Sequence, residues 1–362
     1  MSIFLILAIY LLVVMITVPE SKRMQKSFIA AFGFILVLSL RSPFCGLDVT
    51  GTTGMIMPHS YGGVFLSMPN FSFWTIIKDT EVVDGHMEIG WLLLTKCISL
   101  FTNNLQVYLT IIAFLQIIPI AYVIGKYSNN IVLSYFIFAC LGFYVHYFSG
   151  IRQTLALSII ILAFDQLYRN RYAWYVFFVL LASSIHISAV FFFIMWPLYR
   201  MKLPFLVAIA IIAGMLAIMP LYQGIISKVL DILFESRFEG YLDDEGSAIT
   251  MFIVYGIILL ASYVIRAENP MLNYLRMLLL VGVASQSLGV LGNGAITRIG
   301  YYFNVFLMIL LPEMINKFKE SERGSISMAA IILLCVFFVL TTTETNSSGV
   351  IPYKFFWEES LY

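Results

Sequence analysis

The stretch "SGIRQTLALSIIILAF" (149–164) is apolar over nearly one membrane thickness, yet it opens on Arg152 and Gln153. An ionisable residue at the end of a spanning helix is either an anchor at the lipid–water boundary or part of a site. Which of the two applies here depends on the side of the membrane that Arg152 faces, and on what faces it.

The rest of the chain has the same character. Of 362 residues, 61% are hydrophobic and 11% charged, with a mean hydropathy of +0.93. A soluble domain carries roughly 25% charge, so this is an integral membrane protein. A net charge of +1 leaves no basic footprint for nucleic acid. The cysteines (Cys45, Cys97, Cys140, Cys335) show no CxxC spacing, which argues against a zinc or redox motif. Neither a metal cluster nor a cofactor is expected. Aromatics at 16% suit interface belts and also a sugar-binding surface. The first apolar run, "SIFLILAIYLLVVMITV", has no positive n-region and no small-residue cleavage site, and reads as a retained helix.

Runs of about 17–25 apolar residues cross a bilayer as helices. About twelve such segments, some short, lie near 2–18, 27–41, 105–125, 130–149, 151–167, 172–185, 187–199, 204–221, 249–266, 273–291, 298–315 and 326–343. The sixth and seventh are short and could form one kinked helix. The run at 88–101 is interrupted by Lys96 and reads as a re-entrant or interfacial helix. The expected fold is an all-α polytopic membrane bundle, a single domain over 1–362. The basic clusters "SKRMQK", "YRNRY", "YRMK" and "NKFKESER" fall on one side when the helices alternate, which makes that side cytoplasmic. Both termini and two larger loops, 42–104 and 222–248, are then outside. No internal repeat is visible, which mildly disfavours an inverted-repeat transporter.

On this topology Arg41, Arg152 and Arg298 all sit at outer helix ends, where the topology rule disfavours arginine. Snorkelling to lipid phosphates is one account; an anion site is the other, since guanidinium forks match phosphate oxygens. Gln153 can hydrogen-bond hydroxyls or bridge helices. Arg298, Tyr301 and Tyr302 share a helix face and suit a phosphate or sugar, or an ordinary aromatic belt. His186, between two apolar runs, is a structural residue or a proton acceptor. His146 reads as an interfacial side chain. Asp48 and Glu88 are outer carboxylates that could act as a base, hold an arginine, or simply be solvated. Arginines, a histidine, tyrosines and carboxylates at one water boundary suit a lipid-diphosphate-linked sugar.

Ordered motifs carry a resemblance. They are Arg41 before Gly46–Asp48, Glu88 and Gly90 with Thr102–Asn104, Ile151–Gln153 with Ala156 and Ala163, His186 with Ser188 and Ala189, Arg298 with Tyr301–Phe303 and Leu310–Pro312, and the terminal "IPYKFF". Together they resemble the EpsG family of Wzy-like O-antigen and exopolysaccharide polymerases. The family's "GTD" reads "GLD" here, and the tyrosine that follows it is displaced to Tyr61. The resemblance implies a glycosyltransferase that joins undecaprenyl-diphosphate-linked oligosaccharide units on the periplasmic face of the bacterial inner membrane. Membrane lipids and a chain-length regulator are the implied partners. Arg152, Arg298, His186 and Asp48 would be catalytic, with Arg41, Glu88, Gln153, Tyr301 and Tyr302 binding substrate. An O-antigen ligase, or a flippase for lipid-linked oligosaccharides, is the alternative.

Overall fold

Short polar residues mark where apolar runs become helices. The Asn104 side chain accepts the backbone N–H groups of Gln106 and Val107, and Asn130 accepts that of Leu133. Ser60 and Ser72 cap in the same way through Gly63 and Thr75. Each satisfies a donor that the first helical turn leaves open.

The structure, a computed structural model, describes residues 2–50, 56–80, 83, 87–217, 245–264, 269–289, 294–344 and 349–358. Among these residues there is no strand, only one isolated antiparallel bridge between Arg41 and Phe355. In chain order the helices used below are α1 (Ser2–Thr17), α2 (Arg23–Leu40), α3 (Tyr61–Ser67), α4 (Phe73–Lys78), α5 (Ile89–Ser99), α6 (Leu105–Tyr127), α7 (Ile131–Cys140), α8 (Phe143–Ser149), α9 (Ile151–Tyr168) and α10 (Tyr172–Ile185). They continue with α11 (Met195–Leu198), α12 (Phe205–Ala217), α13 (Glu245–Ala261), α14 (Pro270–Gly289), α15 (Gly294–Asn304), α16 (Leu307–Ile315) and α17 (Glu320–Glu344).

The chain is all-α and polytopic, as expected, but the span count is lower. All twelve expected segments contain helix. Among the described residues, five helices are long and apolar enough to cross a bilayer: Glu20–Leu40, Leu105–Tyr127, Ile151–Tyr168, Pro270–Gly289 and Glu320–Thr341. Two bent pairs, α7 with α8 at 55° and the Thr297–Asn304 part of α15 with α16 at 44°, raise the number to seven. Gly142, at φ 82°, supplies the first bend, a backbone conformation that favours glycine. The other segments are helices of 10–17 residues; at 1.5 Å per residue, the 16 residues of α1 fall short of the roughly 30 Å hydrocarbon core. The sixth and seventh segments are separate, because His186 adopts an extended conformation that ends α10. The expected outer loop 42–104 is largely helical, carrying α3, α4 and α5. The other, 222–248, lies outside the described residues apart from the start of α13, as does His86.

The chain folds as two compact units, Met1–Val190 with Gly324–Tyr362, and Phe191–Arg323. In the first, α2 packs along α6, and α9 lies between α6 and α10. Polar side chains join these helices where no water competes. Ser158 Oγ donates to Gln116 O at 2.6 Å, Gln116 Nε2 donates to Thr154 Oγ1 at 2.8 Å, and Tyr144 OH donates to Phe34 O at 2.7 Å. Phe34 and Tyr144 meet edge to face at 4.7 Å. Asp165, fully buried, accepts from Lys126 and from Tyr127 OH near the far end of α6 and α9. Outward, Leu333 is 69% and Leu340 59% exposed on α17, an apolar face that suits lipid.

The second unit holds α11 to α16. Arg276 is buried on α14, donating to Ser262 Oγ at 3.0 Å and stacking over the Tyr263 ring at 4.1 Å. Glu313 on α16 accepts from Asn269 Nδ2 at 3.0 Å and pairs with Lys317 at 2.9 Å.

Candidate functional site

Four helix ends meet in the first unit. Tyr61 is the first residue of α3, Glu88 is the residue before α5, Arg152 is the second residue of α9, and His186 is the residue that ends α10. Gly90 allows the approach of α5 to α10. A Cβ there would strike the backbone carbonyl of Ser184. Glu88 and His186 flank that point of approach on their two helices.

The Glu88 carboxylate bridges the other groups. Its Oε2 accepts from Arg152 Nη1 at 2.5 Å. Its Oε1 accepts the Ile187 backbone N–H at 3.0 Å. The same Oε1 lies 3.2 Å from the buried Nδ1 of His186, at ion-pair distance but off the line of a straight hydrogen bond. Arg152 Nε donates to Tyr61 OH at 3.2 Å, and the guanidinium lies over the Tyr61 ring, 5.5 Å from its centroid. The cluster is partly open: the side chains of Arg152, Glu88 and His186 are 17%, 20% and 26% exposed.

Electrostatics fix the protonation of two of these groups. Burial alone would raise the Glu88 carboxyl, but the His186 ring, the Arg152 charge and the Ile187 N–H outweigh it and bring it down to about 2. Burial raises Tyr61 to about 12 despite the opposing Arg152 charge, so its hydroxyl keeps its proton at neutral pH. Behind Tyr61 stands an aromatic wall. Trp91 meets it edge to face at 5.3 Å, and Tyr108 stacks on Phe65 at 4.2 Å.

The sequence-predicted residues fall into three groups. Arg152, Glu88 and His186 are brought together. Gln153, one residue on and about 100° around the helix, instead pairs with His146, its Oε1 2.9 Å from Nε2. Arg41 is buried and donates to the carbonyl oxygens of Phe148 (2.6 Å) and Cys45 (3.3 Å), at the end of α8. Burial lowers its guanidinium to about 10, which leaves it charged at neutral pH. The Asp48 backbone carbonyl accepts the Tyr61 N–H at 3.0 Å, and the Asp48 charge acts on both Arg41 and Tyr61. Arg298, Tyr301 and Tyr302 lie on α15 in the second unit; Tyr302 is buried and the other two are half-buried.

Sequence reasoning marks Tyr61 only as a displaced tyrosine and passes over Trp91. A signal existed for Trp91: it stands three residues after Glu88, one helical turn along α5. Nothing in the spacing pointed from Tyr61 to Arg152. Among the described residues no group of His, Cys, Asp and Glu is arranged to hold a metal ion.

No curated protein and no solved structure matches the chain. The sequence model of the EpsG family matches residues 58–355. That stretch contains Tyr61, Glu88, Arg152, His186 and Arg298, and leaves out Arg41 and Asp48. By this match over most of its length, the chain belongs to the EpsG family.

Proposed function

We propose that this protein joins undecaprenyl-diphosphate-linked oligosaccharide units at the periplasmic face of a bacterial inner membrane. The observation that carries the reading is the Arg152–Glu88–His186 cluster, at the ends of α9, α5 and α10 of an EpsG-family protein. Family membership makes the chain a polysaccharide-polymerase type of membrane protein; the substrate, the face and the residue roles are our reading.

The chemistry needs no nucleotide. A hydroxyl of one lipid-linked unit attacks the anomeric carbon of the glycan on the other. The new C–O bond forms as the bond to the diphosphate breaks, and the diphosphate leaves with the electron pair. Charge therefore develops on the leaving phosphate oxygens, and a guanidinium fixed in advance stabilises it. Glu88 and Tyr61 hold Arg152 in place, and a guanidinium is a planar group that suits phosphate. His186, a quarter exposed beside it, accepts the proton of the attacking hydroxyl. Arg298 is proposed to bind substrate phosphate as well, Tyr301 and Tyr302 to bind sugar, and Asp48 to be a second candidate for the base.

The test is the length of surface polysaccharide in a knockout complemented with wild type, Arg152→Ala or Arg152→Lys, with protein levels in the membrane checked. Loss of a placed charge stabiliser costs about 10²–10³ in rate. Arg152→Ala is expected to leave single-unit glycan, and Arg152→Lys to rescue poorly because an ammonium lacks the fork. A normal ladder from Arg152→Ala at normal levels overturns the assignment. A knockout that caps no glycan at all points to a ligase or a flippase. Arg298→Ala, tested alone in the same strain, is expected to shorten the chains.

A further inference from the structure

A carboxylate differs from every other side chain at its position in one respect: both of its oxygens accept and neither donates. Glu88 uses both. Oε2 takes Arg152 Nη1, while Oε1 takes the Ile187 N–H and faces His186 Nδ1. An imidazole whose Nδ1–H points at a carboxylate carries its lone pair on Nε2. We propose that Glu88 is a positioning residue: it fixes the His186 tautomer, so that Nε2 is the atom that accepts the proton of the attacking hydroxyl, and it ties that base to the arginine that holds the leaving group. The proposal rests on the reading of His186 as the base.

The arrangement supports this role through geometry. His186 is the residue at which α10 stops, in extended conformation. The next residue, Ile187, is tied by its own N–H to the same carboxylate oxygen that faces the ring. Backbone and ring are thus both referred to Glu88 Oε1. The 3.2 Å separation off the hydrogen-bond line is of the kind that tightens when substrate closes a site. Among the described residues, the charged and titratable groups around Glu88 are Arg152 on α9, His186 after α10, and Tyr61 on α3, with the Asp48 charge acting on Tyr61.

Glu88→Gln separates this role from simple charge pairing. An amide has one acceptor and one donor. If its NH2 faces Arg152, two donors clash. If its NH2 faces His186, it clashes with the Ile187 N–H and pins the ring with its proton on Nε2, which removes the base. The measurement is elongation of radiolabelled lipid-linked units, made by the host, in membrane vesicles of the complemented knockout. Glu88→Gln and His186→Ala are each expected to slow elongation by about 10²–10⁴. The double variant is expected to be slower than His186→Ala alone by much less than the full Glu88→Gln factor, because the part of Glu88 that acts through the histidine is already gone and only its hold on Arg152 is left. Multiplying effects in the double variant overturn the proposal, as does a wild-type rate for Glu88→Gln. A wild-type rate for His186→Ala overturns the reading of His186 as base, a distinguishable failure. Should Glu88→Gln accumulate poorly, Glu88→Asp keeps two acceptors on a shorter arm, and the same non-additivity with His186→Ala is expected.

Discussion

The low pKa of Glu88 is a statement about stability as well as chemistry. Its folded value, about 2, lies below the ordinary 4.5. The contribution of its partners is therefore fully present above about pH 4.5 and is lost as pH falls toward 2. At most it is about 3 kcal/mol. Purified wild-type protein is expected to lose more thermal stability between pH 5 and pH 3 than Glu88→Gln does, read as melting temperature in detergent. Equal slopes would mean that the ion pair contributes nothing to the fold. At this scale the sequence was partly legible. Arg152 and Glu88 stand out because charge is rare in a chain only 11% charged. The partner of Gln153 was not legible: adjacency to Arg152 suggested a shared site, yet one step along a helix turns it to His146.

Between the residue and the whole lie the helix approaches that set the site. Gly90 is the clearest, because a Cβ there meets the Ser184 backbone carbonyl as well as the Ser184 Oγ, and the backbone cannot swing aside. Gly90→Ala is expected to push α5 off α10, to cost about 1–3 kcal/mol of stability, and to slow elongation more than tenfold by parting Glu88 from His186. Retention of wild-type activity and melting temperature would show that the two helix ends adjust independently. Gly46 is held by a different constraint: at φ 95° its Cβ would fall on the carbonyl of Phe148, the same oxygen that Arg41 holds. The "ExG" and "GxD" motifs thus mark close backbone approaches as well as charges. Element identity was readable from apolar runs and caps. Element length was not, because a run of apolar residues does not show where hydrogen bonding stops, and several runs stop short of a bilayer.

For the whole molecule, the claim to be tested is orientation. Asn103 and Asn129 flank the spanning helix α6 at opposite ends, and both are exposed. In a cysteine-free background, Asn103→Cys is expected to react with a membrane-impermeant maleimide in spheroplasts. Asn129→Cys is expected to react only after permeabilisation. The reverse pattern would place the Arg152 cluster on the cytoplasmic side and refute a periplasmic polymerase site. The class of the molecule was plain from composition. Its division into two units was not, since no linker composition, charge run or repeat separates Val190 from Phe191.

The sequence by itself determined the membrane class, the helical content and, through motifs in order, the family. These follow from local chemistry: the hydrophobicity of a run, the capping power of an asparagine, and the presence of particular residues in sequence order. Only the tertiary structure decided that Tyr61, Glu88, Arg152 and His186 share one site while Arg41 and Gln153 turn to other partners. That outcome depends on the register in which α3, α5, α9 and α10 pack. Register is set by the close approach of residues far apart in the chain, such as Gly90 and Ser184, which no spacing along the sequence records.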